Sequence, residues 1–259
     1  MKKALIRILS ITLIAVLLCG LAPMTASAAG NEITGDFTDE KFLARIYVLL
    51  DRDDGEPIYD DDVADIEELW VGIRGIESLD GIEHFTNLKI LGCYSNELTE
   101  LPPLPAGLEE LYAANNQLTE LPVLPCGLTH LSVAGNELAA LPVLPNTLEV
   151  LWCGGNQLTK LPRLPASLKR LYCERNRLRS INLLGIDLEY INCTYNDMAG
   201  VTCIRGFTGM LDLIFAEKEF RFFPQNDGLW AGYDYWVMLI LEGILFGWVW
   251  MRMLRWLWA

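Results

Sequence analysis

Residues 81 to 200 fall into six rows of twenty without a gap. The rows are GIEHFTNLKILGCYSNELTE, LPPLPAGLEELYAANNQLTE, LPVLPCGLTHLSVAGNELAA, LPVLPNTLEVLWCGGNQLTK, LPRLPASLKRLYCERNRLRS and INLLGIDLEYINCTYNDMAG. Leucine recurs at 88, 108, 128, 148, 168 and 188; a second apolar column runs through Leu91, Leu111, Leu131, Leu151, Leu171 and Ile191. Asparagine holds its own column at 96, 116, 136, 156, 176 and 196. A unit this short cannot bury its apolar side alone, so each is covered by the next and the chain forms a solenoid. Because a solenoid grows without a central core, a length of 259 residues does not require a second domain.

Within each row the L-x-C/A/V triplet, such as Leu111 to Ala113, predicts a short strand. The asparagine that follows has a side chain suited to bonding backbone groups of the adjoining coil, which makes a ladder along the stack. Four rows begin L-P-x-L-P, at 101, 121, 141 and 161. Proline fixes φ and removes a donor, so this half of each coil is expected to be extended and polyproline-like. The expected fold is therefore α/β, a curved parallel sheet on the concave face with an extended convex side, a short helical N-cap and a C-terminal hydrophobic helix.

The ends depart from the period. FTDEKFLARIYVLLD, residues 37–51, places Phe42, Ile46 and Leu49 at helical spacing with Asp39 at the cap position. Asp51 to Glu68 is dense in acids and turn residues and reads as too polar to pack. Leu69, Val71 and Ile76 stand 22 residues before Leu91, Cys93 and Leu98, with Arg74 at the asparagine position, so a degenerate first repeat is expected there. After Asn196 the pattern fades, and Leu211 and Leu213 keep the phase in a segment expected to close the last sheet edge.

Lys2, Lys3 and Arg7, the apolar run Ile8 to Leu18, Pro23 and the small-residue site Ala26-Ser27-Ala28 read as an export signal, with an uncleaved anchor helix as the alternative. Without residues 1–28, which hold three bases and no acid, seventeen bases face 34 acids. That balance argues against nucleic acid as a partner. Six of the eight tryptophans lie beyond residue 229, and Tyr235 to Met251 carries Glu242 as its sole charge. This tail is expected to span a membrane, with Arg252 and Arg255 at a cytoplasmic end; a helix packed over the end of the solenoid is the alternative.

Cys93, Cys153, Cys173 and Cys193 share one column with Ala113 and Val133. Such a column is an apolar interior position, and reduced core cysteines are expected there.

These rows resemble bacterial leucine-rich-repeat proteins, whose unit is L-x-x-L-x-L-x-x-N-x-L, over residues 66 to about 215. The L-P-x-L-P rows look like the short-repeat subclass of secreted effectors and surface proteins, and residues 66–98 look like internalin-like 22-residue repeats. Some effectors of that subclass carry a C-terminal ubiquitin-ligase domain. Fewer than sixty residues follow the repeats here, so that activity is not carried over.

Catalysis has little to stand on in the sequence. His84 and His130 are the two histidines, and there is no G-x-S-x-G serine or glycine-rich phosphate loop. A non-catalytic protein without a cofactor is expected. Asp51, Asp53 and Asp62 resemble the ends of a calcium loop, but Glu56 stands where its glycine belongs, so a solvated acidic turn is preferred over a calcium site.

Binding is expected on the concave face, where residues between the leucines project outward. Tyr112, His130, Trp152, Arg170, Tyr172 and Tyr190 are the candidate contacts, because exposed aromatics and arginine favour protein hot spots. The expected organisation is a signal over 1–28, an acidic N-terminal cap over 29–65, repeats over 66–215, a cap or linker over 216–232 and the hydrophobic tail over 233–259. Such a chain would be an exported, membrane-tethered monomer at the cell surface that binds a protein or glycan. The alternative is a structural cell-envelope protein without a specific ligand.

Overall fold

The computed structural model describes residues 30–199, 203–206 and 219–221; the signal segment and the hydrophobic tail expected from the sequence lie outside them. Seven strands follow the repeat in order: β1 (Glu68–Trp70), β2 (Ile90–Gly92), β3 (Glu110–Tyr112), β4 (His130–Ser132), β5 (Val150–Trp152), β6 (Arg170–Tyr172) and, after the short convex strand β7 (Ile181–Asn182), β8 (Tyr190–Asn192). They form one parallel sheet in which each strand pairs with its neighbour in repeat register: Leu69 opposite Leu91, Leu91 opposite Leu111, and onward to Leu171 opposite Ile191. The degenerate first repeat is thus a true coil, and its two extra residues are absorbed outside the strand.

The leucine columns and the cysteine column fill the space inside the coils, where Leu91, Leu111, Leu131, Cys93, Cys153 and Cys173 have no exposed surface. All four cysteines of that column are free thiols. Burial drives the Cys93 and Cys193 thiols up to about 12 and raises Cys153 and Cys173 further.

The asparagine column closes the turns. Asn116 is buried; its amide donates to the Cys93 carbonyl of the coil before (3.1 Å) and to Ala113 of its own coil (3.1 Å). Its Oδ1 accepts from the backbone of Asn96 and Leu98, each at 3.2 Å. The same pattern recurs at Asn136, Asn156, Asn176 and Asn196, each stitching its coil to the one before. The residue ahead of each asparagine sits in the left-handed region, φ 54° at Ser95 and 66° at Gly135, which turns the chain sharply enough to bring that amide inward.

On the convex side the L-P-x-L-P segments form neither helix nor strand, and each ends in a turn such as Leu108 N–H to Pro105 O at 3.1 Å. In the row where Asn182 stands in place of the proline, β7 joins β9 (Ile204–Arg205) in a separate two-stranded parallel sheet, and Leu183 N–H donates to Arg205 O at 2.7 Å. The last strand of the repeat pairs with β10 (Glu219–Arg221), with Phe220 opposite Ile191; Leu211 and Leu213, expected to lie in the closing segment, fall outside the described residues.

Two helices precede the sheet. Helix α1 (Glu40–Leu50) is capped by Asp39, whose carboxylate accepts from Lys41 and Phe42 N–H at 2.9 and 2.8 Å. The other oxygen takes Glu77 N–H at 2.7 Å, which binds the cap to the first coil. Desolvation alone would raise this carboxyl, but the backbone donors from Glu77, Phe42, Ser78 and Lys41 outweigh it and hold the group below its ordinary value. The acidic segment does pack, contrary to its composition. Ile58 and Val63 are fully buried, and Asp60–Ala64 forms helix α2. Arg52 makes this packing compatible with so much charge: its guanidinium grips both oxygens of Asp62 at 2.6 Å and the Pro57 carbonyl at 2.7 Å.

Candidate concave binding face

In each strand the central residue points into the core, so the two flanking positions face outward and line up across the sheet. One outward column reads Glu68, Ile90, Glu110, His130, Val150, Arg170, Tyr190; the other reads Trp70, Gly92, Tyr112, Ser132, Trp152, Tyr172, Asn192. All six candidate contacts therefore share this face.

They do not stand free as the phasing suggested. Tyr112, Trp152, Tyr172 and Tyr190 are only half-exposed, because their rings lie along the sheet and cover one another. Tyr112 meets Trp152 at a centroid distance of 6.5 Å, Trp152 stacks on Tyr172 at 5.5 Å, and Tyr172 stacks on Tyr190 at 4.6 Å. His130 joins from the other column, 6.3 Å from Trp152. Flat rings gain from such offset contact and from leaving water.

The stack extends to a residue that the column reading missed. Trp70, 44% exposed, stacks on Tyr112 at 5.7 Å although a whole strand lies between them. Gly92 makes that possible: a Cβ there would run into the Trp70 ring. Ser132 plays the equivalent part between Tyr112 and Trp152, so small residues alternate with rings at the N-terminal end. The signal was available, since Trp70 precedes Gly92 by the same 22 residues that relate Leu69 to Leu91.

Polar groups hold the ring edges. The Tyr112 hydroxyl donates to Glu110 at 2.6 Å, and burial followed by this bond to a carboxylate pushes its pKa up to about 12. Trp70 Nε1 donates to Glu68 at 3.3 Å. His130 Nδ1 lies 3.0 Å from the Thr129 hydroxyl and 3.8 Å from Glu110. Arg170 is exposed, with Nε 3.6 Å from Glu189, and Val150 is buried among these neighbours at 7% exposure. Beside the stack, Glu174 folds over Gly154, and its Oε2 is buried without a hydrogen-bond partner among the described residues. The face is thus a π-rich strip with acceptors along its margin, suited to laying an extended ligand across several coils.

The calcium reading of Asp51, Asp53 and Asp62 is not supported by the geometry. Both Asp62 oxygens are engaged by Arg52, and one of them also accepts from Tyr59 N–H at 2.8 Å. Among the described residues no three His, Cys, Asp or Glu side chains converge to hold a metal. Nor do the two histidines meet: His84 bonds Asp36 at 2.8 Å in the cap, away from His130 on the sheet.

No family model and no curated protein matches the sequence. Solved structures do. YopM from Yersinia enterocolitica is 36% identical over 53% of this chain and 30% of its own, with a TM-score of 0.50. YopM from Yersinia pestis, described as a leucine-rich effector protein, is 27% identical over 61% of this chain and 48% of its own, also at 0.50. The functional domain of InlJ from Listeria monocytogenes, described as including a cysteine ladder, is 23% identical over 67% of this chain and 50% of its own, at 0.46. This chain therefore spans less than half the length of either YopM structure.

Proposed function

Taking as premise that the chain is a leucine-rich-repeat protein of the bacterial kind, we propose that it is an exported binding protein that captures a protein segment, or a glycan, along its concave face without catalysis. One observation carries this reading: five rings, Trp70, Tyr112, Trp152, Tyr172 and Tyr190, form an unbroken strip across the sheet, with Gly92 and Ser132 as spacers. Short strands gain stability from a pair of stacked rings. A strip running from β1 to β8 and still partly open to solvent goes further, and it offers the flat amphipathic area on which interfaces concentrate their energy.

The half-burial also serves the rival reading of a structural envelope protein, and it changes how the two are separated. Replacing Tyr112, Trp152 and Tyr172 together with alanine removes several ring contacts at about 0.5–1.5 kcal/mol each, so melting falls along with any binding. The cleaner variant is Trp70→Ala, at the end of the strip. It breaks one stacked pair, about 0.5–1.5 kcal/mol, and is expected to reduce capture of the ligand from cell-surface extracts at least about tenfold, the equivalent of about 1.4 kcal/mol. Capture unchanged in both Trp70→Ala and the triple variant, with the surface phenotype intact, assigns the protein to the structural class.

Export and tethering belong to the same proposal and rest on the sequence of residues 1–28 and 233–259. Among the described residues no helix is long and apolar enough to cross a membrane. Carbonate extraction tests the tether: the full-length protein is expected to stay with the membrane pellet, and its release into the supernatant refutes the tether.

A further inference from the structure

Charge is distributed along the solenoid with a sharp reversal. Residues 30–157 carry 24 acids and five bases, whereas residues 158–180 carry seven bases, Lys160, Arg163, Lys169, Arg170, Arg175, Arg177 and Arg179, against Glu174. Two of these bases are already engaged on the concave side, Lys169 with Glu149 at 2.9 Å and Arg170 with Glu189 at 3.6 Å.

The remaining flank is different. Arg175, Arg177 and Arg179 are exposed and follow one another along a single turn, interleaved with buried Asn176 and Leu178. Their backbone is fixed: Arg175 N–H bonds Thr194 O at 2.9 Å, Arg177 N–H bonds Leu158 O at 2.9 Å, and Leu178 N–H bonds Asn196 Oδ1 at 3.0 Å. Arg175 rests over the Tyr195 ring at 5.6 Å. Lys160, one coil earlier and also exposed, adjoins Thr159, which lies in the Arg179 column. Among the described residues, no carboxylate forms an ion pair with Lys160, Arg177 or Arg179. The same flank in earlier coils bears Glu97, Glu100, Glu120 and Glu137 instead.

A rigid acidic counterpart exists at the other end of the molecule. The loop after α1 and helix α2 present Asp51, Asp53, Asp54, Glu56, Asp61 and Asp65 to solvent, on a backbone pinned from inside by Arg52 through Pro57 and Asp62. These acids cannot reach the basic flank of their own chain. Strands β1 and β6 are five steps apart, about 24 Å at ~4.8 Å per step, and the acidic loop lies beyond β1.

We propose that the chain associates head to tail with a second copy of itself, the acidic loop of residues 51–65 docking on the flank formed by Lys160, Arg175, Arg177 and Arg179. The contact joins two different patches, so it is heterologous and leaves a free end of each kind. Guanidinium groups held in a row match carboxylates through paired hydrogen bonds, which gives the contact direction as well as charge. The overall acidity of the chain opposes association at long range. At about 0.15 M ionic strength the screening length is about 8 Å, which damps that repulsion while leaving facing charges in contact. This replaces the monomer expected from the sequence.

The test uses the full chain and sedimentation equilibrium at about 0.15 M and about 1 M salt. Wild type is expected to exceed the mass of one protomer at the lower salt and to return to it at the higher. A flank variant, Lys160→Glu with Arg177→Glu and Arg179→Glu, and a loop variant, Asp53→Lys with Asp54→Lys and Asp61→Lys, should each stay monomeric with unchanged melting, since every substituted side chain is exposed. Mixed in equal amounts, they should associate again, because each then supplies the patch that the other has reversed. A monomeric wild type at both salts overturns the proposal, and if labelled polyglutamate then binds the flank, that surface belongs to a foreign acidic protein. Association that ignores salt and both reversals overturns it equally and points to another contact, such as the apolar tail.

Discussion

Asn136→Ala is expected to destabilise the fold by about 3 kcal/mol, far more than the loss of one polar side chain on a surface would. Asn136 is 7% exposed and serves two coils at once. Its amide donates to the carbonyls of Ala113 and Val133 at 3.0 Å each, and its Oδ1 accepts from Leu118 N–H at 3.0 Å. Alanine leaves the Leu118 N–H buried and unpaired, at about 1–3 kcal/mol, and removes one of the two amide donors from each of the Ala113 and Val133 carbonyls, which keep Asn116 and Asn156. Gln117, exposed on the corresponding turn of the coil before, provides the control: Gln117→Ala should stay within about 0.5 kcal/mol of wild type. Urea denaturation of both variants measures the difference. A cost below about 1 kcal/mol for Asn136→Ala would show that the turn is held by its backbone alone.

Phe42→Ala is the second large effect, about 3–5 kcal/mol from lost burial and a residual cavity. Phe42 has no exposed surface, and its ring meets Phe37 edge-on at 5.6 Å; Phe37 in turn meets Phe85 at 6.4 Å. This aromatic cluster attaches α1 to the first coils, and Gly81, at φ 94°, lets the backbone pass close under the Phe37 ring. Coils in a solenoid contact only their neighbours, so the damage is expected to be local. Hydrogen exchange should quicken strongly at Leu69 and little at Leu171. Equal loss of protection at both would mean that the array unfolds as one unit and that the cap is not a separable element.

How far the sequence could be read follows from the range of the interactions involved. The period set every strand from Leu91 to Ile191 in register, the asparagine ladder and the extended proline segments, because each depends on residues within one coil or its neighbour. Asp39 as helix cap was equally local. Tertiary contacts were less legible. The acids around Ile58 and Val63 concealed two core residues, since nothing in the local pattern announces that Arg52 will neutralise Asp62 ten residues away. Columns identified Tyr112, Trp152, Tyr172 and Tyr190 as outward-facing but not that the rings would lie down on one another, which depends on Gly92 and Ser132 in intervening strands. Trp70 was hidden by the two extra residues of the first repeat, and β10 by a departure from the period altogether.

The cysteine column gives individual coils a chemical reporter. A thiol reacts as thiolate. Burial raises the pKa of Cys93, Cys153, Cys173 and Cys193, so in the closed solenoid these sulfurs are both shielded and protonated, while Cys126 on the convex side is exposed. Reagent therefore reaches each column sulfur only when its own coil opens. Cys93 senses the second coil and the other three sense the last coils of the array, so the order in which they are modified records where opening begins and how far along the chain it spreads.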